Sequence, residues 1–206
     1  MNIQEFFPLI KYINLDERID RKELAEKEFI KLGIQPERFS AIKRENGAEG
    51  CYLSHLNLLK EAQISNSNLL VFEDDVQFCE NAKEMIENAL DELSRKDWVL
   101  FYLGGNILRP AYQVSKHLAK LSHCQSTHAI SYNIKYIPQI IEFLEHNQFI
   151  LDVLYADYVV PATECYITVP MVATQRSDFS SIEKQVMTYD IPIERYNKFL
   201  VRKEGL

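Results

Sequence analysis

Glu73, Asp74 and Asp75 stand together directly after the apolar run Leu69-Leu70-Val71-Phe72, and Val76 and Phe78 resume the apolar character. The run has the length and composition of a buried strand, so a sheet delivers three acids to one of its edges. Carboxylates crowded there lose hydration and repel one another, which calls for a cation among them. A hard divalent ion, Mn²⁺ or Mg²⁺, suits oxygen ligands and is commonly shared with substrate phosphates. Asp75 lies furthest beyond the strand and is the first candidate ligand, with Glu73 or Asp74 assisting. The competing reading is a solvated turn whose acids cap a helix starting near residue 81.

A reaction on a diphosphate-linked donor also needs donors for the phosphate oxygens and a base for the incoming hydroxyl. Arg18 and Arg21 flank a helix start, where backbone N–H groups favour anions; they could equally pair with Asp16 and Asp20. Asp152 lies among Ile150, Leu151, Val153 and Leu154, and desolvation there raises a carboxyl toward the range useful to a general base. A helix cap is its alternative role, and Asp157 is the second candidate base. His55 and His128 are either hydrogen-bonded structural histidines or metal or phosphate contacts. Ser54 beside His55 does not make a hydrolase, because adjacent helix residues point in different directions and no G-x-S-x-G elbow occurs.

The elements that must carry these residues alternate. A β-prone run at 9–15 leads through a charged loop into a helix over 20–32, with Asp20 as its cap and Gly33 as its stop. A short strand at 38–42 precedes a helix over 51–62. The acidic strand is followed by an amphipathic helix at 81–95 and a buried strand at 98–103 that ends on Gly104-Gly105. This pattern predicts an α/β domain with a mostly parallel central sheet flanked by helices. Ligands of such sheets collect at the carboxyl ends of the strands, which puts the arginine loop, the three acids and Gly104 on one edge. Further on, a hairpin or flap is expected over 106–125, a strand over 125–132, a helix over 135–145 and a strand over 165–169.

With 206 residues, 47% of them hydrophobic, the chain is long enough for one large domain. Its net charge of -7 argues against a broad nucleic-acid-binding surface. Cys51, Cys79, Cys124 and Cys165 form no C-x-x-C pair and suggest neither a zinc site nor a disulfide scaffold. Residues 1–15 lack the pattern of a signal peptide, and no run reaches the ~20 apolar residues of a membrane span. The expectation is a cytoplasmic protein, with peripheral association at the inner membrane face left open, as is the oligomeric state.

Several motifs together resemble glycosyltransferase family 25, which includes bacterial lipopolysaccharide galactosyltransferases and animal procollagen galactosyltransferases. Ile13 to Arg21 is similar to the family's I-N-L-D-x-R-x-x-R, Gly50 to His55 to its G-C-x-x-S-H, and Phe72 to Val76 to its L-E-D-D-V. Thr127-His128-Ala129 resembles its T-H-A-Y, Leu151-Asp152 its later V-D, and Pro170 to Ile182 its proline, glutamine and serine ending. The order of the six is the family's own. Two departures stand out: the glutamate of G-E-x-G-C is displaced by one place to Glu49, and Ile130 replaces a tyrosine.

The resemblance implies a GT-A-type fold with a Rossmann-like nucleotide-binding half. It also implies a UDP-sugar donor of galactose or glucose, Mn²⁺ dependence, an inverting mechanism, and a glycan or glycoprotein acceptor. On that basis the whole chain is one domain, with a nucleotide-sugar half over 1–105, an acceptor-side half over 106–190 and a tail over 191–206. The donor would be held by Asn14, Leu15, Arg18, Arg21, Ser54, His55, Glu73, Asp74 and Gly104. The metal would be held by Asp75, Glu73 and His128, and Asp152 or Asp157 would be the base. Two other classes compete. One is a nucleotide-sugar- or glycan-binding protein of the same fold without turnover. The other, a phospho-receiver domain, would need an aspartate ~40 to 45 residues after its acid pair by the spacing of that fold; residues 114–120 contain none.

Overall fold

In the computed structural model the described residues are 1–177 and 190–205, so the end of the proline-glutamine-serine stretch, 178–182, lies outside them. The β-branched and aromatic runs form the strands of the first half: β1 (Leu9–Asn14), β2 (Glu37–Ser40), β3 (Leu69–Glu73), β4 (Val76–Phe78) and β5 (Leu100–Tyr102). Shorter strands follow: β6 (Asn106–Ile107), β7 (Ala111–Gln113), β8 (Leu118–Lys120), β9 (Cys124–Gln125), β10 (Ala129–Tyr132), β11 (Cys165–Thr168), β12 (Ala173–Gln175) and β13 (Leu200–Val201). The helices are α1 (Ile3–Phe6), α2 (Ile19–Leu32), α3 (Gly47–Ser65), α4 (Ala82–Leu93), α5 (Ile137–His146), α6 (Leu151–Leu154) and α7 (Asp190–Phe199). Among the described residues none is long and apolar enough to cross a membrane.

Nine of the described strands form one sheet in the order β13-β7-β8-β11-β5-β10-β3-β1-β2. The α/β class with a central sheet between helices is therefore the one the alternation predicts. The pairing is mixed rather than mostly parallel. β1 runs parallel to β2 and β3, but β10 enters between β3 and β5 antiparallel to both. Nothing in the local pattern of β10 announces this, because a fully buried strand reads the same in either direction.

One face of the sheet packs against α3, α5 and α6 through Leu56, Leu59, Ile140, Leu144 and Leu151. The other packs against α1, α2 and α4 through Ile3, Phe29, Ile86 and Leu90. Burial on both faces explains why β3 is apolar at every position until Glu73. Lys11 of β1 is buried as well, its Nζ held at 2.9 Å by Glu37 and 2.5 Å by Glu61.

Several boundaries move for local reasons. α3 begins at Gly47, not 51, because the Asn46 side chain accepts from Ala48 N at 3.0 Å and caps it there. Gly50 lets α3 approach the preceding loop: a Cβ at this position would stand 2.4 Å from the Ile42 carbonyl oxygen. Asp20 does not cap α2, which starts one residue earlier; its carboxylate instead accepts from Arg18 Nε at 2.9 Å. The expected strand over 125–132 is broken into β9 and β10 at Ser126, which has φ of 74°. The expected flap is a set of short strands, of which β7 and β8 extend the main sheet and β6 pairs with β9.

Candidate active site

The carboxyl ends of β1 and β3 and the amino end of β10 lie side by side, with Ile13 opposite Glu73 and Ala129 opposite Phe72. Over this edge lies a cavity of about 570 Å³. Asn14, Leu15, Arg18 and Arg21 form one wall, and Glu73, Asp74 and Asp75 form the floor. Lys43, Arg44, Cys51 and Ser54 come from the loop and first turns around α3, while Thr127, Asp152 and Gln175 close the remaining side. Glu73 ends β3, Asp74 and Asp75 sit in the turn before β4, and α4 begins only at Ala82, so the acids do not cap that helix.

The three acids have different partners. Asp74 is fully engaged: Asn14 Nδ2 donates to its Oδ2 at 2.8 Å and an Arg21 guanidinium nitrogen to its Oδ1 at 3.0 Å. Asn14 Nδ2 also reaches the Arg18 carbonyl oxygen at 3.0 Å. Asp74 thus ties the first strand to the start of α2 and has little left to offer a metal. Removing Arg21 would leave a buried carboxylate unpaired, at a cost of about 3–5 kcal/mol.

Asp75 is the contrary case. Its Oδ2 accepts from Gln175 Nε2 at 3.3 Å and lies 4.0 Å from Arg21, while its Oδ1 is buried without a hydrogen-bond partner. Burial, with the Glu73 charge behind it, pushes its carboxyl up to about 7. An orphaned oxygen among three acids fits a divalent cation. Glu73 accepts from Thr127 Oγ1 at 2.6 Å and lies 3.6 Å from His55 Nε2. Burial acts to raise Glu73, but the His55 imidazole and the Thr127 hydroxyl outweigh it and hold the carboxyl below its usual range. The two shifts run in opposite directions, Glu73 down and Asp75 up, each charge acting on the other.

Asp152 lines the same cavity as the acids. Its Oδ2 accepts from Ser126 N at 3.1 Å, a bond made available by the backbone kink at Ser126. Burial, opposed by that bond, raises its carboxyl above the ordinary range. Asp157 is placed elsewhere: it is half exposed, pairs with His123 Nε2 at 3.3 Å and does not line the cavity.

Of four other expected residues, Ser54 lines the cavity, while His55, His128 and Gly104 serve it at one remove. His55 is wholly buried beneath Glu73, with Nδ1 3.1 Å from Tyr132 Oη. Ser54 is buried too; its hydroxyl donates to the Gly50 carbonyl oxygen at 2.7 Å and accepts from Ile42 N at 2.9 Å, fixing the loop before α3. His128 is buried behind the floor and burial lowers its imidazole to about 4, so it is neutral. Gly104 lies under β12, where a Cβ would stand 1.9 Å from the Ala173 carbonyl oxygen and 2.9 Å from His128 Nε2. Neither His128 nor Gly104 lines the cavity. Gly104→Ala should force β12, and Gln175 with it, away from the acids. An overpacking loss of about 1–3 kcal/mol is expected, read from the midpoint of chemical denaturation.

Thr127, Gln175 and Cys51 also line the cavity, although the sequence pattern does not single them out as site residues. Thr127 and Cys51 sit inside motifs that could have pointed to them. Gln175 is 100 positions from its partner Asp75, a contact created only when β12 pairs with β4.

The profile described as "Glycosyltransferase family 25 (LPS biosynthesis protein)" matches residues 45–149. Procollagen galactosyltransferase 1-A of Xenopus laevis is 44% identical over 63 residues, covering 28% of this chain and 10% of that protein. Inactive glycosyltransferase 25 family member 3 of Mus musculus is 32% identical over 72 residues, covering 34% of this chain and 12% of that protein. These matches thus span about an eighth or less of the relatives' length. Among solved structures, a glycosyltransferase involved in glycosylation of the major capsid of PBCV-1 aligns with a TM-score of 0.49 at 9% identity. That alignment covers 93% of this chain and 99% of the other.

Proposed function

Since the chain belongs to glycosyltransferase family 25, we propose that it is a metal-dependent inverting glycosyltransferase. It moves a galactose or glucose unit from a UDP-sugar to a hydroxyl of a glycan or glycoprotein. The observation that carries this reading is Asp75, whose Oδ1 is buried without a hydrogen-bond partner beside Glu73 and Asp74, in a cavity also lined by Arg18, Arg21, Lys43 and Arg44. Acids alone would repel a nucleotide diphosphate and cations alone would not need them; together they suit a divalent ion carrying a diphosphate. Asp75 and Glu73 would hold Mn²⁺ or Mg²⁺, which supplies charge neutralisation for the departing diphosphate.

The chain's own residues divide the remaining work. Asn14, Leu15 and the Arg18–Arg21 turn border the donor side, with Asp74 as the clamp that fixes them. Asp152, raised by burial, accepts the proton of the acceptor hydroxyl as it attacks the anomeric carbon from the face opposite the nucleotide. Glu73 stays ionised through His55 and Thr127 and adds negative charge near the developing positive sugar ring. Residues 1–105 supply most of the donor side, and the acceptor enters past Ser126, Ile150 and Asp152.

A second reading is favoured by one comparison: the mouse relative carries "inactive" in its name. On that reading the same cavity binds a nucleotide sugar without turnover. A panel of nucleotide sugars with and without Mn²⁺ separates the two. Metal-dependent thermal stabilisation by a UDP-sugar together with UDP release is expected; a ligand at 100 times its dissociation constant adds about 2.7 kcal/mol. Stabilisation without UDP release, in the presence of candidate acceptors, would favour the binding protein, and no stabilisation by any nucleotide sugar would contradict both.

A further inference from the structure

Cys51 and His55 are four residues apart on α3 and therefore present their side chains on one face of the helix. That face meets the end of β3, and Cys51 Sγ, one imidazole nitrogen of His55 and a carboxylate oxygen of Glu73 all lie within 4.8 Å of one another. His55 Nε2 is wholly buried, lacks a hydrogen-bond partner and lies 3.6 Å from Glu73 Oε1. A buried imidazole nitrogen left unpaired beside a thiol and a carboxylate is an unmet demand.

We propose that Cys51, His55 and Glu73 form a second metal site, selective for a thiophilic divalent cation of the Zn²⁺ class. The donor set of one sulfur, one nitrogen and one oxygen suits zinc or cobalt and is poor for manganese or magnesium, which prefer oxygen throughout. Tyr132 Oη lies 3.1 Å from His55 Nδ1, and in the tautomer whose Nδ1–H donates to it, Nε2 carries the lone pair that a cation needs. Thr127 Oγ1 fixes Glu73 Oε1 from the other side at 2.6 Å. Cys51 lines the cavity, which gives a cation its route to the three ligands. Binding exchanges the thiol proton for the metal: the S–H bond breaks, the S–metal bond forms, and the proton leaves to solvent. Two of the ligands sit on a long helix and one on a central strand, which makes the site rigid.

The site shares Glu73 with the proposed donor site, so it is tested on chain free of Mn²⁺ and nucleotide sugar. Metal-stripped full-length chain titrated with Co²⁺ should develop thiolate-to-cobalt charge-transfer absorption that saturates at one equivalent. Cys51→Ser should abolish the band and weaken Zn²⁺ binding at least tenfold, while Cys79→Ser, at an exposed cysteine, should leave both intact. Asp75→Asn should keep the band whichever way the donor assignment falls. Unmodified chain supplies an independent readout: Zn²⁺ should slow alkylation of Cys51 at least tenfold relative to Cys79, which decides the matter if Cys51→Ser does not fold. Absence of the band in the parent, its survival in Cys51→Ser, or unchanged alkylation of Cys51 would overturn the proposal.

Discussion

Asp75→Asn is expected to reduce sugar transfer by about 10³-fold, the scale lost when a preorganised charge at a reacting centre is removed, while leaving the fold intact. The side chain keeps its shape, and its amide oxygen can still accept from Gln175, which now bonds Oδ2 at 3.3 Å. It also removes a carboxyl that burial and the Glu73 charge push up to about 7. Without metal, the variant should therefore melt at or above the parent. Mn²⁺ should stabilise the parent and not the variant, because the orphaned Oδ1 that would take the ion is gone. Thermal unfolding with and without Mn²⁺, alongside UDP release, reads both effects. A folded Asp75→Asn that transfers sugar at the parental rate would remove Asp75 from the metal site.

Asp152→Asn has the second largest expected effect, a loss of about 10²–10⁴-fold in transfer, as for other general bases. The substitution leaves an oxygen to accept the Ser126 N–H, so the cavity wall should stay in place. Its stability should move the other way from its activity. Burial raises the native carboxyl above its value in the unfolded chain. Below ~pH 4 both states are protonated and the group contributes no difference. As pH rises, the unfolded chain ionises first, so the parent loses stability until the native group also ionises. Asp152→Asn should therefore gain in melting temperature over the parent from ~pH 4 upward, levelling off once the raised native value is passed. The parent's kcat/KM should show an acidic limb above the ordinary carboxylate range that the variant lacks. Near-parental transfer by the variant would exclude Asp152 as the base.

What could be read from the chain alone depended on how local the cause was. The alternation of apolar runs and amphipathic helices located β1, β3, α2 and α4, because periodicity and stops such as Gly33 are written within a few residues. The collection of Arg18, Arg21 and the acids on one sheet edge follows from the same alternation. Division of labour among the acids does not. Asp74 and Asp75 are adjacent and chemically alike, and only the tertiary partners Asn14, Arg21 and Gln175 make one a clamp and the other an open ligand. The antiparallel entry of β10 and the kink at Ser126 were likewise invisible, yet they bring Thr127 to Glu73 and a backbone donor to Asp152. Cysteines compared only with one another suggested no metal site. Cys51 became informative beside His55 and Glu73, one of which comes from a different element.

The account stands on the oxygen of Asp75 that no protein group reaches. Crystals grown with Mn²⁺ and UDP, measured at the manganese absorption edge, address it directly. The predicted result is an anomalous peak at coordination distance from Asp75 Oδ1, with the diphosphate bridging from it toward Arg18 and Arg21. UDP bound in the cavity with no peak at Asp75, or a peak held by other residues, would contradict it.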